Sequence, residues 1–245
     1  MTSRERLPLL RQIIDPEPNS GAWNMAVDEV LLQTAIDHGL ATLRWYQWRE
    51  PTVSLGYFQQ EEGIRRDSRL APLPRVRRLS GGGTLVHDRE LTYSLSLPGS
   101  QRLMGQPVEL YRLVHQAVID CFRQRGALLE FRGVTVKRLQ EPVLCFERED
   151  ENDLVAQGHK VLGSAQRRRK GSILQHGGLL LAASSATPEL PGLKDVFPDL
   201  DLSNLAEFLG KSISRDLAVV TENESLSPSE IDAVGRLAAS NGRLS

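Results

Sequence analysis

The sequence predicts an α+β protein. Two long segments with helical spacing of apolar residues, strand-like runs that come in consecutive groups rather than in strict β-α alternation, and turn residues between the runs carry that reading. At 245 residues the chain suits one large domain or two small ones, with enough length to bury a real core.

The first element is "SGAWNMAVDEVLLQTAIDHG". Trp23, Val27, Val30, Leu31 and Thr34 or Ala35 recur at helical spacing, Asn19 or Ser20 can cap the start, and Gly39 can end it. "ATLRWYQW" then reads as a strand with Leu43, Trp45 and Gln47 on one face. "TVSLGYF" reads as a second strand after the turn at Glu50-Pro51, and "PRVRRLS" as a third that enters a glycine loop. "LTYSLSLP" alternates Leu91, Tyr93, Leu95 and Leu97 with Thr92, Ser94 and Ser96, the pattern of a half-buried strand. In "PVELYRLVHQAVIDCFRQRG" an apolar stripe from Leu110 to Phe122 marks a second helix, started by Pro107 and stopped by Gly126. "DLVAQGHKVLGSAQ" and "GSILQHGGLLL" read as two strands joined by the basic segment Arg167 to Lys170. Near the end, Ser227, Pro228 and Glu230 form a capping box for a last helix, and the stretch from Leu190 onward reads as helical packing over the core.

Composition removes several classes of function. A formal charge of −1 excludes a strongly basic nucleic-acid binder. No apolar run approaches the roughly 18–20 residues that span a bilayer, and the N-terminal segment lacks the apolar core of a signal peptide. Two cysteines are too few for a disulfide framework, so a reduced, cytoplasmic setting is expected. Metal binding is not expected either, because CxxC and paired-histidine spacings are missing.

The segments with chemical potential are few. Gly81, Gly82 and Gly83 in "RRLSGGGTLVHD" fit a hairpin turn, or a loop whose backbone N–H groups approach an anion or a polarised carbonyl. The spacing matches neither a P-loop nor a dinucleotide fingerprint, since this loop opens a strand. Cys121 falls on the packed helical stripe and reads as core. Cys145, in "EPVLCFERED", is either an idle thiol or a nucleophile, and the second role needs a nearby cation or base. Lys160 in "GHKVLGS" can be that cation or a solvated surface charge. His87 and His176 can each line a site or serve as structural histidines, whereas His115 sits on the polar flank of its helix and reads as unremarkable. The Arg167 to Lys170 run is a solvated loop or a dock for an acidic partner.

Taken together, four blocks in order resemble the lipoate/octanoate protein ligase and transferase family: "NMAVDEVLL", "PTVSLGYFQ", "RRLSGGGTLVHDRELTYSLSLP" and "GHKVLGSAQRRRKGSILQHGGLLL". The last two together are specific. The resemblance implies a mixed β-sheet core flanked by helices, like biotin/lipoate protein ligases and related to class II synthetase cores. It implies an acyl pocket lined by Arg77, Arg78, Ser80, Gly81, Gly82, Gly83, His87, Gly163 and Ser164, with Lys160 as the family's lysine. Cys145, fifteen residues before Lys160 in a "CF" context, is similar to the cysteine of the cysteine-dependent octanoyltransferases.

The expectation is therefore a single catalytic domain over residues 1–245, with no C-terminal accessory domain. It would move an octanoyl group from acyl carrier protein to a lysine of a lipoyl domain, on glycine-cleavage H protein or a 2-oxoacid dehydrogenase subunit, through a Cys145 thioester. No cofactor is expected, nor a nucleic-acid or membrane partner, and a monomer is. The rival readings are an ATP- and magnesium-dependent ligase with a separate accessory subunit, an amidotransferase between lipoyl domains, and a non-catalytic acyl- or carrier-binding module.

Overall fold

A computed structural model describes residues 6–65, 67–99, 107–134 and 149–241. Its centre is an eight-stranded mixed sheet built from β1 (Leu7–Ile14), β2 (Thr42–Tyr46), β6 (Glu90–Leu97), β7 (Glu130–Phe131), β8 (Leu154–Ala156), β9 (His159–Arg169), β10 (Ser172–Leu180) and β11 (Ala218–Asn223), in the order β11-β1-β2-β6-β10-β9-β8-β7. The pairs β11-β1 and β1-β2 are parallel, and the others are antiparallel. A three-stranded sheet, β4 (Arg75–Arg77), β3 (Thr52–Leu55) and β5 (Leu85–His87), stands beside it in the order β4-β3-β5. A small apolar cluster of Val53, Leu55, Ile64, Leu70 and Val86 supports it. The expected mixed sheet flanked by helices is thus the observed architecture.

Two one-turn helices, α2 (Glu62–Arg65) and α4 (Leu193–Val196), lie in connections, and longer helices cover both faces of the large sheet. The apolar stripe of α3 (Pro107–Gln124) and that of α5 (Leu205–Leu217) share the main core with Leu43, Trp45, Tyr93 and Leu95. On the other face lies α1 (Gly21–His38), backed by α6 (Pro228–Asn241), with Ile13, Val27, Leu31 and Val234 between them. Local sequence sets these helix ends. Ser20 caps α1 by accepting from the Trp23 N–H, and Gly39 closes it in the left-handed region at φ 67°. The α6 capping box forms, with the Ser227 N–H donating to Glu230 Oε2 at 2.8 Å and the Glu230 N–H to Ser227 Oγ at 3.3 Å.

Four expectations change. β6 was expected to be half-buried, but all eight of its residues are buried. Its polar face meets α1 instead of water. The run "DLVAQGHKVLGSAQ" is not one strand. It folds back at Gln157 and Gly158, with φ of 48° and 84°, into the β8-β9 hairpin. The basic segment is mostly strand: Arg167, Arg168 and Arg169 end β9, and Lys170-Gly171, φ 47° and 83°, make the two-residue turn into β10. Beyond Leu190, the chain adds the edge strand β11 as well as helices. Among the described residues no helix is long and apolar enough to cross a membrane.

Candidate active site

A cavity of about 300 Å³ lies between the glycine loop, β9, β10 and the turn that precedes β8. Residues from both faces of the large sheet line it, where β9 and β10 carry Gly163, Gly177 and Gly178 in place of side chains. That absence is enforced by contact. A Cβ on Gly178 would lie 2.8 Å from Glu90 Oε1, and one on Gly177 would strike Ser164 Oγ and the Gly163 carbonyl.

Lys160 reaches this cavity from the start of β9. Its ammonium is 2.8 Å from Asp153 Oδ2, and both side chains are buried, at 6 % and 5 % exposure. Burial pushes the Asp153 carboxyl above its usual range despite the pull of Lys160 and the N–H of Asp150, which donates to the same oxygen at 2.8 Å. Of its two open readings, Lys160 is therefore a buried, paired cation and not a solvated one.

The glycine loop leaves β4 and is held from inside by Arg78. Its guanidinium, 2 % exposed, donates to the carbonyls of Ser54, Gly81 and Gly83 at 3.0, 3.0 and 2.5 Å. Gly82 adopts φ 96° and lines the cavity, and its carbonyl oxygen packs so closely on Gly56 that a Cβ there has no room. Arg78, Gly82, His87, Lys160, Gly163 and Ser164 of the expected site meet around the cavity. Arg77 and Ser80 do not line it. Arg77 clamps the neighbouring turn by donating to the carbonyls of Gly56 and Gln59, at 3.0 and 2.7 Å. Ser80 is fully buried, with Oγ 2.5 Å from His176 Nε2. Gly81 and Gly83 complete the loop as partners of Arg78, and Cys145 lies outside the described residues.

Two histidines sit in front of buried carboxylates. His87 stacks on Trp48, with ring centroids 3.9 Å apart, and places Nδ1 2.8 Å from Glu90 Oε1 and Nε2 2.7 Å from Ser54 Oγ. His176 places Nδ1 3.0 Å from Asp28 Oδ2. Behind Asp28, the fully buried Arg44 donates to Asp28 Oδ1 at 3.2 Å and to Asp15 Oδ2 at 2.6 Å. Burial disfavours the Arg44 charge, but Asp15 and Asp28 outweigh it and raise the pKa. Burial first and Asp28 second hold the Tyr46 phenol protonated, and it donates to Asp28 Oδ2 at 3.2 Å.

On the α3 side, His115 is buried and lines the cavity with Nε2 2.7 Å from Ser164 Oγ. His115, expected to be unremarkable on the polar flank of its helix, thus belongs to the site, and Asp28, Arg44, Glu90 and Asp153 join it from outside the expected set. The available signal was a charged or polar residue inside an otherwise apolar stretch, as in "AVDEVLL". Cys121 is buried on α3 as expected, and burial pushes its thiol pKa up.

Comparison with known proteins decides the family. Residues 20–216 match the lipoyl protein ligase A/B catalytic domain. The chain belongs to this family. Octanoyltransferase LipM of Anoxybacillus flavithermus is 39 % identical over 180 residues, covering 69 % of this chain and 65 % of the relative, just under two thirds of its length. Octanoyltransferase LipM of Clostridioides difficile is 31 % identical over 222 residues, covering 84 % of this chain and 82 % of the relative. The crystal structure of lipoate-protein ligase A bound with ATP superposes with a TM-score of 0.73 at 20 % identity, over 98 % of this chain and 97 % of that one. This last likeness establishes the lipoyl ligase fold.

Proposed function

We propose that this member of the lipoyl ligase family is an octanoyltransferase, moving an octanoyl group from acyl carrier protein to the lysine of a lipoyl domain in lipoate biosynthesis. The observation that carries the reading is the buried Lys160 ammonium facing a cavity under the glycine loop, in a chain similar to proteins named octanoyltransferase.

The reaction runs in two exchanges. The Cys145 thiolate attacks the carbonyl of octanoyl-acyl carrier protein. Its Sγ–C bond forms, the carrier's C–S bond breaks, and the carrier thiol leaves with a proton. The neutral amine of the acceptor lysine then attacks the octanoyl-Cys145 thioester. The N–C bond forms, the C–Sγ bond breaks, the thiolate is regenerated and the amine gives up one proton. Thioester to amide is downhill, so the reading needs no ATP.

Lys160 would serve this chemistry twice, by lowering the thiol pKa and by facing the oxygen on which negative charge develops. Backbone N–H groups of the Gly81–Gly83 loop would share the second task. Losing one such donor typically costs about 10²–10³ in rate.

The test is intact mass spectrometry after mixing with octanoyl-acyl carrier protein in the absence of ATP. The expected product is an octanoyl adduct that hydroxylamine removes and Cys145→Ser lacks. Full transfer by Cys145→Ala overturns the covalent route. Pyrophosphate release from ATP and free octanoate would assign the chain to the ligases instead.

A further inference from the structure

A single row of hydrogen bonds runs from the large sheet to the turn that carries Asp153, and its donor directions are fixed by chemistry. His115 Nδ1 lies 2.5 Å from the Asn152 carbonyl oxygen. A carbonyl only accepts, so Nδ1 carries the proton. Burial pushes the His115 pKa down to about 4, outweighing the Asn152 bond and Asp150, which raise it, and Lys160 adds to the lowering, so near neutral pH the ring holds no second proton. Nε2 is then a bare acceptor, and the Ser164 hydroxyl 2.7 Å away must donate to it. Ser164 Oγ in turn accepts from the Tyr93 hydroxyl at 2.8 Å, and Tyr93 accepts from Gln175 Nε2 at 2.7 Å. Gln175 is oriented by Gln166, whose Nε2 donates to its Oε1 at 2.7 Å. Burial holds Tyr93 protonated, as this direction requires.

The far end of the row matters most. Asn152 and Asp153 share one tight turn, in which Asp150 Oδ1 accepts from the Asn152 N–H at 2.8 Å and Asp153 Oδ2 accepts from the Asp150 N–H at 2.8 Å. The same Asp153 oxygen meets Lys160 at 2.8 Å. A shift of the Asn152 carbonyl therefore moves the carboxylate on which the Lys160 ammonium rests. The His115 ring itself is wedged between Tyr111, edge-on at 6.2 Å between centroids, and Phe131, stacked at 6.4 Å.

We propose that His115 is a positioning residue of the acyl-transfer site: its Nδ1–H pins the Asn152 carbonyl to α3 and so holds Asp153 against Lys160. The inference rests on the reading of Lys160 as the cation that lowers the Cys145 thiol pKa. In this role His115 acts on the reacting atoms through Asn152, Asp153 and Lys160.

Two amide substitutions separate the two ends of the ring. Asparagine places its amide nitrogen near the position of Nδ1 and can keep the bond to Asn152, whereas glutamine reaches toward Nε2 and Ser164. The readout is the pH midpoint of Cys145 alkylation by iodoacetamide in the intact protein, with Cys121 replaced by Ala in every sample. Lys160→Met should move the midpoint up toward that of a free thiol, about 8.5. His115→Gln should move it the same way and lower kcat more than KM, and His115→Asn should restore the wild-type midpoint. A shift with Lys160→Met but none with His115→Gln overturns the role of His115. No shift with Lys160→Met overturns the reading of Lys160 instead. Should His115→Gln fail to fold, nitrogen-detected NMR of the wild-type imidazole decides: an Nδ1–H tautomer at pH 7 is expected, and an Nε2–H tautomer or an imidazolium refutes the proposal.

Discussion

Replacing Lys160 by Met keeps most of the side chain's volume and removes its charge, which separates what the ammonium does for the fold from what it does for chemistry. At 2.8 Å from Asp153 Oδ2, and with an effective dielectric of about 20, the gross attraction is about 6 kcal/mol. The cost of taking both ions out of water offsets part of it. Removing one partner of a buried pair typically costs about 3–5 kcal/mol, because the other charge stays behind. The size should depend on pH. Burial already raises the Asp153 pKa in the presence of Lys160, and loss of Lys160 raises it further. An acid whose folded pKa lies above its unfolded value of 3.8 costs stability that grows as pH rises from the unfolded towards the folded pKa. Lys160→Met should therefore be about 3–5 kcal/mol less stable than the wild type at pH 8, and the gap should narrow toward pH 5 as Asp153 takes up a proton. Urea unfolding of both proteins at pH 8, 6.5 and 5 measures it, with octanoyl transfer followed in parallel. Transfer should not recover at the lower pH, since protonating Asp153 relieves the fold and does not replace the cation. An unchanged urea midpoint, or a gap constant across the pH range, refutes the argument that the pair is buried and coupled.

Glu230→Gln tests the latch of α6. Burial pushes the Glu230 pKa up, but the bidentate Arg11, at 3.0 and 2.7 Å, and Ser227 outweigh it and bring the pKa down to about 2. From an ordinary value of 4.5 that is worth about 3 kcal/mol, present above pH ~4.5 and lost as pH falls to ~2. The stability difference between wild type and variant should accordingly be largest near neutral pH and should close in acid, as read by denaturant titration. Gly56→Ala tests the seat of the glycine loop, because its Cβ would press on the Gly82 carbonyl oxygen, a backbone atom with little freedom to yield. A stability loss of about 1–3 kcal/mol and a fall in kcat/KM of at least about tenfold are expected. Wild-type transfer kinetics would show that the loop tolerates displacement.

What the sequence disclosed was the information carried locally. The cap at Ser20, the closing Gly39 and Gly126 and the Ser227–Glu230 box are each set by residues within one turn of one another. β1 and the edge strand β11 escaped detection because they pair across most of the chain: Leu7 pairs with Ala218, and "LPLLRQII" shows no clean alternation. Gln157-Gly158 hid a hairpin turn inside what looked like one run, since glutamine rarely adopts positive φ and gave no warning. His115 occupies the flank of its helical stripe, and nothing near it in sequence reveals that this flank meets β9 and the Asn152 turn.

The largest misreading, a solvent face on β6, also explains how the site is held. Alternating polar residues on a strand fit water or a second polar layer equally well. Here the row across the sheet runs Arg44, Ser94, His176, Ala165, on neighbouring strands in register. It faces α1, whose buried Asn24 and Asp28 interrupt an otherwise apolar face. The charges in that layer depend on one another: Arg44 is tied to Asp28, Asp28 to His176, and His176 to Ser80 at the root of the glycine loop. Each member would leave an unsatisfied buried group if one link moved, and such a group costs about 1–3 kcal/mol, more when charged. That cost holds the loop in one place. Arg78 then fixes its shape through the Gly81 and Gly83 carbonyls, so a chain of glycines, flexible by itself, becomes a rigid wall opposite Lys160.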